Sequence, residues 1–211
     1  KAQERGGRSG MFPSFDTVRR RKPFVLSEDQ NVYGLDLSPD EKFVVFMTSE
    51  RAAEAKNTIV PNYVTRSGYT ETIESHLKAG YSSMESKAGV VDVSSGEVKW
   101  IDFAQGERKV SPTRFFWSPD GKKCLLTAQS EDRKDAWLLL IEPESGKTSV
   151  IENVHDEAWV GPLGLTNISW FPDSEHVFYI SEKDGFAHLC KASLDGKEKT
   201  KLTQGKFEIY E

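Results

Sequence analysis

Three segments of the chain repeat one pattern, an apolar or aromatic residue followed by a Pro-Asp turn and a β-prone run. The segments occupy residues 37–40, 117–120 and 170–173, and they read Leu-Ser-Pro-Asp, Trp-Ser-Pro-Asp and Trp-Phe-Pro-Asp. The runs that follow them contain FVVFMTS, KCLLTAQ and HVFYISE. A repeat of this kind constrains the fold strongly, because each copy supplies one supersecondary unit whose apolar face must be covered by its neighbours.

Each copy continues with an apolar run, a turn rich in Gly and small polar residues, and another β-prone run. The three turns read SSGE, PESGK and SLDGK. Such turns between β-prone runs are typical of hairpins, so each copy predicts four antiparallel strands. About 45 residues per copy is the size of a β-propeller blade. The sequence therefore predicts an all-β fold, a β-propeller segment of about three four-stranded blades.

The first copy is longer than the others because an insertion at residues 51–87 separates its second and third strands. Helical periodicity is scarce, and only Glu71–Leu77 is predicted to form a turn or two of helix.

The predicted blades do not account for the two ends of the chain. Residues 1–30 resemble the end of a preceding blade, and residues 205–211 resemble the start of a following one. The predicted boundaries of the full blades are given by three ranges: 31–103, 104–152 and 153–204. Since an open arc of blades leaves sheet faces and edges uncovered, we expect a segment of a longer protein, or other chains over its open ends.

Composition narrows the function classes. The 211 residues include 28 basic and 33 acidic side chains, a net charge of −5, which disfavours a general nucleic-acid binder. The basic start of the chain, including residues 19–22 (RRRK), is predicted to be an exposed turn. No apolar run is long enough for a membrane span. With two cysteines, Cys124 and Cys190, neither a disulfide framework nor a metal-binding spacing is present, and no cofactor is expected.

The third repeat resembles a known family more specifically. Residues 159–161 (Trp-Val-Gly), 178–180 (Phe-Tyr-Ile), 185–190 (GFAHLC) and 202–209 (LTQGKFEI) have the order and spacing seen in the propeller of dipeptidyl peptidase IV. The first repeat is similar to the preceding blade of that family, with a Tyr-rich insertion that ends in residues 78–80 (Lys-Ala-Gly). The resemblance covers roughly residues 31–211.

The resemblance implies an eight-bladed propeller that caps a C-terminal α/β-hydrolase domain of a serine peptidase. No Gly-x-Ser-x-Gly nucleophile elbow occurs in this chain, so we expect the hydrolase domain to lie outside it and the chain alone not to hydrolyse peptides. Its expected roles are to gate substrate access and to help bind the amino end of a peptide. The alternative is a TolB-type propeller that acts as a protein-binding scaffold without any enzyme. A third alternative is a propeller that acts on carbohydrates. A periplasmic or extracellular location follows from the resemblance only, and a cytosolic one stays open.

Two substrate-binding positions are implied by the resemblance. A pair of glutamates in the family captures the free amino terminus of the substrate, and the matching stretch here offers only Glu28 and Asp29. The residues after Trp-Val-Gly line a second subsite; here Pro162, Leu163 and Gly164 predict an apolar, uncharged wall. Trp159 either contacts substrate beside this wall or packs between blades.

The insertion resembles the arm through which the family forms homodimers. Its apolar side chains exceed what a solvated loop needs, as expected for contact with a second copy or another domain. The predicted arm residues are Tyr63, Tyr69, Leu77 and Tyr81, with Val64 and Ile73. The insertion alternatively folds back on its own blade.

Other polar residues are predicted to be structural. His188 and Cys190 alternate along one strand and face the same side, but no further metal ligand is close in sequence. Both cysteines are predicted to be free, buried thiols. Residues 155–157 (His-Asp-Glu) are predicted to be a solvated loop. Arg51 and Glu54 either line the mouth of the propeller or form a solvent-facing ion pair.

Overall fold

A computed structural model gives the fold and describes residues 30–51, 56–78, 84–162 and 164–210. These residues contain β-strands and turns without any helix, which confirms the all-β prediction. Twelve strands form three antiparallel sheets of four, and the sheets do not close into a ring. We call them the first, second and third sheets in chain order.

The strands of each sheet lie side by side in chain order. The first sheet contains β1 (Gln30–Leu37), β2 (Phe43–Arg51), β5 (Met84–Asp92) and β6 (Val98–Trp100). The second contains β7 (Val110–Trp117), β8 (Cys124–Ser130), β9 (Asp135–Glu142) and β10 (Lys147–His155). The third contains β11 (Leu165–Trp170), β12 (His176–Ser181), β13 (His188–Ser193) and β14 (Lys199–Lys201).

The insertion in the first sheet forms a separate hairpin of β3 (Asn57–Asn62) and β4 (Glu71–Leu77). The helical prediction for Glu71–Leu77 is therefore wrong. The segment carries the β-branched residues Thr72 and Ile73, and β3 supplies a partner strand whose ladder satisfies its backbone groups. Pairing with a strand found elsewhere in the sequence decides this conformation.

Two of the three repeated turns, at residues 37–40 and 117–120, share a small hydrogen-bond network centred on a serine, whereas the third has Phe171 at that position. The Ser38 hydroxyl donates to Asp40 at 2.7 Å and accepts from the Phe43 N–H at 2.9 Å. Ser118 makes the same pair of bonds with Asp120 and Lys123. Similar networks begin at Ser130 and Ser193. In each case the Ser–Asp bond holds the pKa of the aspartate below its usual value, so a charged carboxylate fastens the turn.

The core consists of two seams between adjacent sheets. The first seam joins the first and second sheets through residues that include Val45, Met47, Val90, Leu126 and Leu139. The second seam joins the second and third sheets through residues that include Leu125, Leu138, Ile168, Val177 and Tyr179. Neighbouring residues of β8 serve opposite seams because side chains alternate along a strand. The second sheet is thus buried on both faces.

The tryptophans before two of the repeated turns reach back to the previous sheet. The Trp170 indole N–H donates to the Phe116 carbonyl at 2.9 Å, and the Trp117 indole N–H lies 3.4 Å from the Asp36 carbonyl. These bonds explain why the repeat carries an aromatic residue at this position, since the ring packs in the seam while its N–H finds a partner. In the part of the chain that the structure describes, no helix has the length and apolar character needed to cross a bilayer.

Candidate functional site

The loop between the second and third sheets is the best candidate for a binding site. It follows β10 and leads into β11, and backbone hydrogen bonds tie both of its ends to the turn before β9. The Asp156 N–H donates to the Lys134 carbonyl at 2.9 Å, and the Val160 N–H donates to the Arg133 carbonyl at 2.7 Å. The loop is therefore held on the second sheet by its backbone.

A side chain closes the loop from within. One carboxylate oxygen of Asp156 accepts the N–H groups of Ala158 at 2.7 Å and Trp159 at 3.0 Å. These two bonds hold the pKa of Asp156 below its usual value, so the carboxylate stays charged at neutral pH. Val160 is buried against Ala136 and its neighbours in a small apolar cluster.

The Trp159 side chain projects from this fixed loop into solvent, with 58% of its surface exposed. Among the described sheets the buried position is taken by its neighbour Val160, and the choice between substrate contact and packing between blades stays a prediction. An exposed indole on a loop that is already ordered is a good contact for a ligand, since little conformational freedom is lost on binding.

Two glycines lie in the loop beside Trp159. Gly164 is buried, and a β-carbon there would come within 2.2 Å of a Val160 methyl, so only glycine fits. A β-carbon at Gly161 would lie 3.3 Å from the Glu182 carboxylate, which belongs to the third sheet. Burial raises the pKa of Glu182, and the charge of Glu208 raises it further. Glu182 therefore lies close to Gly161, and the apolar wall predicted for residues 162–164 stays a prediction because Leu163 lies outside the described residues.

Below the loop, the buried carboxylate of Asp135 joins three elements. One oxygen accepts a charged hydrogen bond from Arg108, in the connection between the first two sheets. The other lies 2.9 Å from Nδ1 of His155, at the end of β10. The hydrogen bond to Asp135 raises the pKa of His155 above its ordinary value of 6.5. The solvated-loop prediction for residues 155–157 fits Asp156 and Glu157, whereas His155 belongs to a strand and contacts a buried acid.

The apolar residues of the hairpin lie at a second exposed surface. Tyr63 and Tyr69 flank its tip and are 75% and 79% exposed, and Val64 between them is 92% exposed. Hydrogen bonds within the tip give it a defined shape, including one from the Thr65 hydroxyl to the Tyr69 carbonyl. Leu77 is half-buried at the end of β4.

Three comparisons relate the chain to known proteins. Residues 21–211 match the family described as the dipeptidyl peptidase IV (DPP IV) N-terminal region. The chain belongs to this family. Dipeptidyl peptidase 4 of Trichophyton equinum is 23% identical over 200 residues, which cover 84% of this chain and 24% of the relative. The family resemblance predicted from the sequence is thus confirmed.

Solved structures show the same fold. Dipeptidyl peptidase 4 of Porphyromonas gingivalis superposes with a TM-score of 0.67 at 19% identity, covering 83% of this chain and 25% of that one. A dipeptidyl aminopeptidase IV from Bacteroides ovatus gives a TM-score of 0.66 at 18% identity, covering 86% and 30%. The fold prediction is therefore confirmed. The chain spans about a quarter of the length of the curated relatives it matches.

Several predicted site residues of this DPP IV-type region stay untested. Glu28, Asp29, Glu54, Leu163 and Tyr81 lie outside the described residues. The two predicted surfaces lie on different elements, because the hairpin is a separate two-stranded sheet inserted between β2 and β5 and Trp159 follows the second sheet.

The two cysteines and His188 have structural surroundings. Cys124 is a free, buried thiol as predicted, whereas Cys190 is free but only half-buried. His188 is buried and lies 3.1 Å from the Gly205 carbonyl, so it fastens the segment after β14. Among the described residues, no group of three or more His, Cys, Asp or Glu side chains could hold a metal ion.

Sequence reasoning missed Asp135 and Glu182. Both stand in charged stretches that read as ordinary turns, EDRKD at residues 131–135 and EKDG at residues 182–185. A signal was present for Asp135, because it ends a Ser-x-Asp turn of the repeated kind and begins an apolar strand. A charged residue at the first position of a buried strand usually needs a partner.

Proposed function

We propose that this DPP IV-type region is the propeller part of a serine exopeptidase of the dipeptidyl or aminoacyl peptidase type. It limits access to a catalytic centre in a C-terminal α/β-hydrolase domain, and Trp159 contacts the amino-terminal part of a peptide substrate. The family match over residues 21–211 carries this proposal. The rigid loop that exposes Trp159 supports the contact, since tryptophan is among the commonest residues at binding hot spots.

The experiment is steady-state kinetics on the protein as isolated from its source, with chromogenic dipeptides that carry proline at the second position. Trp159→Ala should raise KM on the order of tenfold with a smaller change in kcat, because the lost contact is made with bound substrate. Trp159→Phe should retain most of the affinity. Trp100→Ala is the matched control, since Trp100 is 47% exposed on the outer strand of the first sheet.

Two results would contradict the proposal at different levels. A protein that cleaves no peptide substrate would contradict the peptidase assignment and favour a binding scaffold. A peptidase in which Trp159→Ala and Trp100→Ala have equal effects would leave the assignment standing and remove the substrate role of Trp159.

A second role concerns the hairpin of β3 and β4, which contacts a second copy of the protein. A two-stranded hairpin is marginally stable alone, and this one exposes aromatic side chains at its tip instead of covering them. Such side chains are enriched at protein interfaces. The hairpin therefore has the composition of an interface arm.

The oligomeric state tests this role directly. The double variant Tyr63→Ser/Tyr69→Ser should lower the mass measured by sedimentation from dimer to monomer. The exposed polar pair Thr72→Ser/Glu74→Gln on the same hairpin serves as the control and should leave the mass unchanged. A wild-type protein that is monomeric at all accessible concentrations would overturn the role.

A further inference from the structure

The imidazole of His155 lies between two carboxylates on different elements. Nδ1 is 2.9 Å from Asp135, whose side chain is only 8% exposed, and Nε2 is 3.5 Å from Glu157, whose side chain is 92% exposed. Asp135 belongs to the rigid second sheet, whereas Glu157 belongs to the loop that presents Trp159. The ring thus connects the loop to the sheet beneath it.

The contact between Nε2 of His155 and Glu157 changes from attraction to repulsion when the ring loses its second proton. In the imidazolium form both ring nitrogens carry a proton, so Nδ1 donates to Asp135 and Nε2 attracts Glu157. In the neutral form the proton on Nδ1 satisfies Asp135, and the lone pair on Nε2 then faces the Glu157 carboxylate. Because a lone pair and a carboxylate repel, the neutral form releases Glu157.

The other charged groups near the ring keep Asp135 in place in both forms. Arg108 pairs with Asp135 and lies 3.6 Å from Asp132, so the buried carboxylate keeps a cation when His155 is neutral. Asp156 and Lys134 flank the loop, and Asp156 holds the backbone of Ala158 and Trp159. Glu157 is therefore the group whose position depends most on the charge of His155.

From this geometry we propose that His155 is a positioning residue that makes the presentation of Trp159 depend on pH. Glu157 stands two residues before Trp159, inside the turn that Asp156 closes. When the imidazolium of His155 attracts Glu157, this contact restrains the turn in addition to the hydrogen bonds that Asp156 accepts. When His155 is neutral, the turn keeps the Asp156 side-chain bonds and its two backbone bonds to residues 133 and 134 but loses the contact of Glu157, so Trp159 is held less firmly.

The direction of the effect follows from the pKa of His155, which the contact with Asp135 raises above 6.5. The fixed form is fully present below 6.5 and is lost as the pH rises through the higher value of the folded protein. If Trp159 contacts peptide, as the proposed function has it, binding is tighter on the acidic side.

The test follows Trp159 itself, so it does not require substrate. The protein, expressed at its natural length with 5-fluorotryptophan, gives one ¹⁹F signal per tryptophan, and Trp159→Phe identifies the signal of Trp159. We expect this signal to titrate with a single midpoint above 6.5. In His155→Gln the titration should disappear, and in Glu157→Gln, an exposed site where misfolding is not expected, its amplitude should fall.

The control is His176→Gln, which removes a similar histidine–aspartate pair, 2.8 Å apart, in the third sheet. It should leave the Trp159 titration unchanged. A wild-type signal that does not titrate, or a titration that persists in His155→Gln and Glu157→Gln, would overturn the inference.

A second measurement separates this inference from the proposed function. Affinity for a proline-containing peptide should fall more steeply between about pH 6 and about pH 8.5 in the wild type than in His155→Gln, in which the peptide's own amino group still titrates. A titrating Trp159 signal without peptide binding at any pH would overturn the proposed function and support the positioning role. Peptide binding with equal pH dependence in both proteins would overturn the positioning role.

Discussion

The two seams of this DPP IV-type region are built differently although they join equivalent sheets. The first seam is a cluster of apolar side chains such as Val45, Leu126 and Leu139. The second seam also buries Glu152, which is 4% exposed and accepts a hydrogen bond from the Tyr179 hydroxyl at 2.7 Å. Lys183 and Lys199 of the third sheet pair with the same carboxylate at 3.1 and 3.0 Å. The two joints thus place their buried charges differently, since Glu152 pairs with lysines of the neighbouring sheet whereas Asp135 pairs with Arg108 of the connection and His155 of its own sheet.

A local irregularity explains the difference. The pairing of β10 with β9 shifts register between Val150 and Glu152, as in a β-bulge. Ile151 and Glu152 are consequently both buried, whereas Val150 is 42% exposed. Burial alone raises the pKa of Glu152, but the hydrogen bonds from Tyr179 and Lys199 outweigh it and hold that pKa below 4.5. The carboxylate is therefore charged inside the seam at neutral pH.

The largest expected effect comes from truncating either seam. Leu126→Ala and Leu125→Ala remove adjacent, fully buried side chains that face the first and second seams respectively. Each should lower the free energy of unfolding by about 3 kcal/mol, because the cavity adds to the lost burial. Urea unfolding measures both, with Leu35→Ala, at a 66% exposed position, as the control. A loss below about 1 kcal/mol at one position would mean that its seam is loosely packed.

A smaller effect is expected from the polar part of the second seam. Tyr179→Phe leaves the ring in place and removes the hydroxyl that donates to Glu152, which should cost about 1.5 kcal/mol of unfolding free energy. Tyr33→Phe is the matched control, because its hydroxyl makes a 3.4 Å contact with Ser86 at the surface. Equal losses in the two variants would show that the Glu152 cluster does not stabilise the seam.

The smallest expected effect is a dependence on pH that distinguishes the two seams. Since the pKa of Glu152 is lower in the folded protein than in the unfolded chain, its contribution is present above 4.5 and decreases as the pH falls. The unfolding free energy of Glu152→Gln should therefore vary less in the acidic range than that of the wild type. Leu126→Ala should keep the wild-type dependence. An identical acid dependence in Glu152→Gln and the wild type would contradict a charged Glu152 in the folded state.

The repeat made most of the fold predictable. The Pro-Asp turns and the Gly-containing turns marked the ends of hairpins. The local sequence pattern did not predict the conformation of Glu71–Leu77, because Ile73 and Leu77 are four residues apart and also fit one face of a helix. That pattern is shared by a short strand, and the partner strand that decides between them comes from β3.

The candidate site was predictable only in part. The resemblance to the family pointed to Trp159, but the burial of Val160 and the exposure of the indole follow from how the loop is fixed to the turn before β9. Glu182 is twenty-one residues from Gly161 in the chain, and Arg108 is twenty-seven from Asp135. Charged residues in polar turns look alike in sequence, whatever they contact in the fold.

The sequence by itself determined the repeating unit, because a Pro-Asp turn and a β-prone run recur in each copy and the turn is closed by contacts only a few residues apart. It also determined the family, through motifs in a fixed order. Only the tertiary structure decided which charges are buried, since Glu152 and Asp135 depend on partners from neighbouring strands and sheets. Burial is a property of packing between distant segments, and the cost of burying a charge is met only where that packing supplies its partners.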